Sequence, residues 1–273
     1  MAVRQPRAHL GGAALRPRVA LGRFLVRLGR FIESLALAVM RPDDIIEFDK
    51  LKYGDAASVA QWSEEQLLAG GLSATEKSRL EQVPVKRGRV LVLGLGGGRE
   101  AIALAQLGHE VVGVDFVQEM VDRAEANAAQ QGVKIRGLVG DFSRLDLPPG
   151  SFDLVLLQSA MYSGVPTRNR RVQMLQRLGR FLKPGGFFLC DFYFNPVVNR
   201  GAARLRQAAA YLTLGNFGCQ EGDTLWGNEF LHAFQSQAEL ESEFTAGGFE
   251  VVQSADLQTQ GFYGALLRKR LAS

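Results

Sequence analysis

Apolar residues first recur at helical spacing near the N-terminus, where Leu21, Phe24, Leu25, Leu28, Phe31, Ile32 and Leu35 share a stripe and Arg23, Arg27 and Arg30 share the opposite one. This predicts an amphipathic helix, ended by Arg41-Pro42. Residues 43–86 read as a short helical region that carries Tyr53 and Trp62 and stops at Gly70-Gly71. From residue 89 the period changes. Apolar runs at 89–93, 110–114, 133–139, 152–157 and 187–192 alternate with helical patterns at 101–107, 118–131 and 168–182. Strands and helices alternating at this spacing predict βαβ units, a parallel sheet covered on both faces and an α/β fold. Beyond 195 the alternation breaks. A helix is expected at 200–214, then a glycine- and aromatic-rich stretch at 215–227 and an extended run at 230–234. A helix at 237–244 follows a Ser236 cap and ends at Gly247-Gly248, before strands near 249–254 and 261–267.

Composition changes this picture little. The chain has 273 residues, 47% apolar and 22% charged, which excludes disordered and collagen-like classes. Two cysteines and three scattered histidines leave no disulfide framework and no sequence-readable metal cluster, so the expected compartment is reducing and cytoplasmic, with no metal.

Charge changes it more. The net +4 hides an asymmetry: seven arginines precede the first acid, Glu33, and the rest of the chain is net −3. A bilayer-spanning helix in the window 19–40 would bury Arg23, Arg27, Arg30 and Glu33, so a transmembrane segment is rejected. Three readings of this arm stay open. It packs its apolar face on the body; it offers residues 18–40 to a membrane surface or a partner; or residues 1–35 are an organellar transit peptide, although Ser34 is the first serine. A secretory signal fits less well, because Glu33 would lie before the small-residue pattern and the basic region would run to about 30 residues.

Chemistry enters at the first strand of the main pattern. Glycines 94, 96 and 98 follow Val90-Leu91-Val92-Leu93 where a strand turns into a helix. A dinucleotide fingerprint would need glycine at 99, where the chain has Arg99. Glycines let backbone approach a ligand closely, and the helix N-terminus beyond offers unpaired N–H groups. Asp115, twenty-one residues after Gly94, ends the second strand run, where a carboxylate can accept both ribose hydroxyl hydrogens. Alone, the loop could be a tight turn and the acid a cap; in register, they favour a nucleoside site.

From 88 to 267 the chain resembles a class I S-adenosylmethionine-dependent methyltransferase. The resemblance rests on the glycine loop at 90–98, Asp115-Phe116, Gly140-Asp141-Phe142, the fourth strand Ser151-Phe152-Asp153-Leu154-Val155, the turn Leu182-Lys183-Pro184-Gly185-Gly186 and the segment 234–249. It implies a doubly wound, mostly parallel seven-stranded sheet with S-adenosyl-L-methionine as cofactor. The chain then divides into an arm (1–42), a helical lid (43–86) and a methyltransferase domain (87–273) with a cap insertion at 195–229. Implied cofactor contacts are Gly94, Gly96, Gly98, Asp115, Phe116, Asp141 and Phe142, joined by Gln158 after strand four and Tyr53 in the lid. One departure stands out: the family commonly has an acid where this chain has Val92, and Arg99-Glu100 after the loop could supply substitute polar contacts.

Methyl transfer is an in-line displacement governed by orientation, with a base needed only when the acceptor carries a proton to lose. Acceptor-side candidates lie past the carboxyl ends of the strands: Gln158, Ser159, Met161 and Tyr162 after strand four, and Asp191 with Tyr193 at strand five. Catalytic expectations fall on His232, Asp191 and Tyr162. Cys219 shows no activating partner. Polyamine synthases and metal-dependent catechol-type enzymes would need acids where the chain reads Gln158-Ser159-Ala160. The motif of DNA amino-methyltransferases is not matched by Asn195-Pro196-Val197-Val198, which reads as a turn. Arg168, Arg170, Arg171, Arg177 and Arg180 read as a solvated helix face. Aromatics Tyr211, Phe217 and Trp226 in the cap favour a small or lipid-like acceptor, with no specific nucleic acid expected. The competing reading, favoured by Val92, is a catalytically idle S-adenosylmethionine- or nucleoside-binding partner subunit.

Overall fold

A computed structural model describes residues 16–62, 64, 68, 70–197, 200–226 and 229–271; the first fifteen residues of the basic arm lie outside the described residues. Helices α1 (Pro17–Val39), α2 (Pro42–Tyr53), α3 (Ala56–Trp62) and α4 (Ala74–Leu80) precede the sheet. Pro17 and Pro42 sit in the first turns of their helices, where the missing N–H costs nothing. Ser73 caps α4 by accepting Glu76 N–H at 3.2 Å while the Glu76 carboxylate accepts Ser73 N–H at 2.6 Å.

The body runs β1 (Arg89–Leu93), α5 (Arg99–Gln106), β2 (Glu110–Asp115), α6 (Gln118–Gln130), β3 (Arg136–Val139), β4 (Phe152–Leu157), α7 (Arg168–Phe181) and β5 (Leu182–Phe194). It continues through α8 (Arg200–Thr213), the hairpin β6 (Asp223–Leu225) and β7 (Phe230–His232), α9 (Gln237–Ala246), β8 (Phe249–Ser254) and β9 (Gly261–Lys269). Seven strands form one sheet in the order β3-β2-β1-β4-β5-β9-β8, with β9 antiparallel to both neighbours and the other pairings parallel.

Strand alternation explains the two cores. Leu91, Leu93, Val112, Val114, Val155 and Leu157 point to one face and pack with Met174, Leu178 and Phe244 of α7 and α9. Val90, Val92, Val111, Leu154 and Leu156 point to the other and pack with Ala101, Leu104 and Ala124 of α5 and α6. Val92 therefore belongs to the core under α5.

Two expectations are corrected here. Strand five is longer than the 187–192 run, because its ladder with β9 extends from Phe187↔Arg268 to Phe194↔Gly261. Arg171 is no surface residue. It is fully buried, with Nε and Nη2 donating to Glu243 at 2.9 and 2.8 Å and its guanidinium over the Phe234 ring. A charge can be buried this way only when a bidentate partner satisfies it.

Candidate functional site

The carboxyl ends of β1, β2, β3 and β4 converge on a cavity of about 240 Å³, roofed by α2 and α3. Its floor is the β1–α5 loop. Gly94, Gly96 and Gly98 all adopt positive φ (73°, 49° and 98°), a conformation costly to any residue with a Cβ. Their surroundings differ. A Cβ at Gly96 would meet nothing within 4 Å, so this backbone faces open cavity, whereas one at Gly94 would come within 2.4 Å of Met161 Sδ. Gly98 does not line the cavity; it is the N-cap of α5 and lies against Ala124 of α6.

Asp115 ends β2 as expected. Its Oδ2 accepts Gly96 N–H at 2.9 Å and its Oδ1 accepts Val117 N–H at 3.0 Å, which ties the loop to the neighbouring strand. Burial raises its pKa against these bonds. Phe116 follows in the wall, and Asp141 and Phe142 complete that side; Asp141 Oδ1 also accepts Ser143 N–H at 2.9 Å, so one carboxylate both turns the chain and faces the cavity. Ser159, at φ 56°, and Met161 carry the wall past β4.

Tyr53 and Trp62 close the lid side, with the Tyr53 ring edge-on to Phe116 at 6.3 Å. Beside them lie two acids that the sequence did not single out, Asp49 and Glu229. Glu229 accepts Tyr53 Oη–H at 2.5 Å and pairs with Lys52 at 2.8 Å. Asp49 Oδ1 accepts Phe230 N–H at 3.2 Å. Burial, reinforced by the Glu229 charge, raises the Asp49 pKa to about 7. Helical spacing puts Ile46, Asp49 and Tyr53 on one face of α2, a signal that could have marked Asp49; nothing local could have brought Glu229 from residue distance 180 to meet it.

The family described as a methyltransferase domain matches residues 90–186. An uncharacterized methyltransferase of Synechocystis sp. is 34% identical over 123 residues, 45% of this chain, which spans 55% of that protein. A demethylmenaquinone methyltransferase of Clavibacter sepedonicus is 30% identical over 177 residues, 64% of this chain and 70% of that one. The chain belongs to the class I S-adenosylmethionine-dependent methyltransferases. Its cofactor is S-adenosylmethionine. The fold is also that of Burkholderia thailandensis 1,6-didemethyltoxoflavin-N1-methyltransferase, at a TM-score of 0.56 and 19% identity over 82% of this chain and 87% of that one.

In this methyltransferase the three residues expected to do the chemistry lie away from the cavity. His232 is fully buried in β7, with Nδ1 2.8 Å from Asp223 and Nε2 3.1 Å from Glu239, so neither ring nitrogen is left to meet an acceptor. Tyr162 is also fully buried and donates to Glu243 at 2.9 Å. Asp191 pairs with Arg79 of α4. Gln158 also does not line the main cavity. It is buried beneath the loop, beside a chamber of about 10 Å³ shared with Glu100, and neither of its amide atoms has a protein partner.

The methyltransferase uses Arg99 to hold α4. Nη1 and Nη2 bind the two Glu76 oxygens at 2.9 and 2.8 Å, and Nη1 also donates to Gly71 O at 2.8 Å. Glu100 turns inward, lines the cavity and is the acid nearest in sequence to the loop that lacks one at Val92; burial raises its pKa, opposed by Arg99.

Proposed function

We propose that this chain transfers a methyl group from S-adenosylmethionine to a small-molecule or lipid-like acceptor, in the cytoplasm. The cavity fits the cofactor by its chemistry: bare backbone at Gly96, a carboxylate at Asp115 for ribose hydroxyls, and Phe116, Asp141 and Phe142 on the purine side. Gly94 and the lid residue Tyr53 complete that half. When bound, S-adenosylmethionine supplies an electrophilic methyl carbon on a sulfonium.

The acceptor half is apolar on Ile46, Trp62, Met161 and Val165, with polar groups concentrated at Asp49, Tyr53 and Glu229. Asp49 is the residue assigned to the proton. With a pKa of about 7 it is ionised in part at neutral pH, and it can take a proton from a hydroxyl or ammonium acceptor. Tyr53 is held by Glu229 and positions the lid edge. Both the Clavibacter and Burkholderia proteins are named for small-molecule acceptors, which supports the acceptor class.

The observation that carries the reading is one cavity lined at once by Gly96, Asp115 and the lid face of α2. The test has two arms. S-adenosylhomocysteine should bind in calorimetry, and methyl-tritiated S-adenosylmethionine incubated with fractionated cell extract should label an organic-extractable small molecule. Label confined to protein or nucleic acid would overturn the acceptor class. Cofactor binding with no transfer in any fraction would favour the idle-subunit reading.

A further inference from the structure

We propose that α1, together with α8, is a docking platform for an anionic lipid bilayer. This goes beyond the acceptor reading and stands without it.

Only the foot of α1 is buried in the body. Leu37 and Ala38 are fully buried, Asn216 Nδ2 donates to Leu37 O at 3.1 Å, and Asn216 N–H donates to Ala38 O at 2.8 Å. A Cβ on Gly215 would come within 2.2 Å of Ala38 O, so the chain after α8 closes tightly on this foot. From 16 to 33 every residue is exposed, about 27 Å of helix at 1.5 Å per residue. The first reading of the arm, a helix that buries its apolar face on the body, therefore does not describe this stretch. Leu21, Phe24, Leu25, Leu28, Phe31 and Ile32 keep 37–58% of their surface in solvent. On α8, which packs along α1, Leu205 and Leu212 are also exposed, at 55% and 87%. Exposed apolar side chains thus recur along two helices that pack against each other, beyond the single scattered residues of an ordinary surface.

Charge selects the occupant. Among the ion pairs of the described residues none involves Arg23, Arg27 or Arg30, and no acid precedes Glu33 in the chain. A basic stripe behind an apolar stripe on an in-plane helix suits a headgroup layer of negative charge. A second copy would cover the apolar stripe but leave the arginines, on the opposite stripe, without a counter-charge. No helix among the described residues is long and apolar enough to cross a membrane, so the helix lies on the surface. The chain turns at the extended Met40 and Arg41 before entering α2, whose Ile46, Asp49 and Tyr53 face the cavity.

The test is co-sedimentation of the full chain with phosphatidylcholine vesicles and with vesicles containing 30% phosphatidylglycerol. Binding should favour the anionic vesicles at least tenfold and fall as salt rises from 0.1 to 0.5 M. Replacing Arg23, Arg27 and Arg30 together with Ala should weaken it about 100-fold, at roughly fivefold per base. A Phe24→Ser, Leu28→Ser variant should lose binding while keeping the wild-type melting temperature and S-adenosylhomocysteine affinity, since both side chains are exposed. Equal retention on both vesicles regardless of salt, no retention at all, or self-association that depends on Phe24 and Leu28 without vesicle binding would each overturn the proposal.

Discussion

The Asp115 carboxylate reaches across the sheet edge to accept the Gly96 N–H at 2.9 Å, so the residue assigned to the ribose is also the one that shapes the glycine loop. Loop geometry and ligand recognition then depend on a single side chain. Asp115→Ala should weaken S-adenosylhomocysteine binding by one to two orders of magnitude in calorimetry, consistent with about 1 to 3 kcal/mol for a buried polar group left unpaired. An unchanged Kd would remove Asp115 from the site.

Gly94 and Gly96 should separate under substitution. Both have positive φ, so either alanine pays about 1 kcal/mol or more of backbone strain. The Gly94 methyl also collides with Met161 Sδ, while the Gly96 methyl enters open space where backbone meets ligand. Gly94→Ala should lower Tm clearly more than Gly96→Ala, and Gly96→Ala should cost tenfold or more in cofactor affinity with little loss of Tm. Normal affinity in Gly96→Ala would make the loop only a turn.

Asp49 predicts a trade between stability and rate. Its folded pKa of about 7 lies above the usual 3.8, so folding takes up a proton between those values. Stability contributed by this group therefore falls as pH rises from about 4 to about 7, and the penalty persists above. Asp49→Asn keeps an oxygen for Phe230 N–H and should raise Tm at pH 8 but not at pH 4. Once an acceptor is in hand, the same variant should lower kcat 10²- to 10⁴-fold and flatten the pH–rate profile near 7, as loss of a general base does. A wild-type pH profile would remove Asp49 from the proton path.

His232 and Tyr162 should behave as structural residues. Burial and Arg171 push the His232 pKa down, but hydrogen bonds to Asp223 and Glu239 outweigh them and leave it raised. A raised histidine contributes stability that is fully present below its unfolded pKa and is lost as pH rises through the folded value. His232→Ala should lower Tm at pH 6 by several degrees, less at pH 9, with cofactor affinity and turnover of the folded protein intact. Tyr162→Phe removes the bond to Glu243 at a cost of about 1 kcal/mol and should leave turnover unchanged. A turnover loss in either variant at full folding would return that residue to the chemistry.

Much of the fold was legible because its cause is local. Apolar runs of five or six residues, glycines just past helix ends and the Ser236 cap act over one or two turns of chain, and they recur in β1, β2, β4, α6 and α9. The cofactor half of the cavity was legible for the same reason: Gly94, Gly96, Asp115, Phe116, Asp141 and Phe142 all sit at strand ends, and a parallel sheet brings strand ends together whatever lies elsewhere. Gly98 and Gln158 share those strand-end positions, but a shift of a residue or two turns one toward Ala124 and the other beneath the loop.

The acceptor half and the surface were decided only by tertiary structure. His232 reads as a base by its type, yet two carboxylates, one across the β6–β7 hairpin and one from α9, take both its nitrogens. Asp49 reads as an ordinary helix acid, yet its pKa depends on burial against residue 229 and the lid. Arg171 has the pattern of a solvated arginine, and its burial rests on Glu243, 72 residues away. Spacing along the chain carries which residues share a face. Desolvation and pairing depend on distances between segments far apart in sequence, and those exist only once the chain has folded.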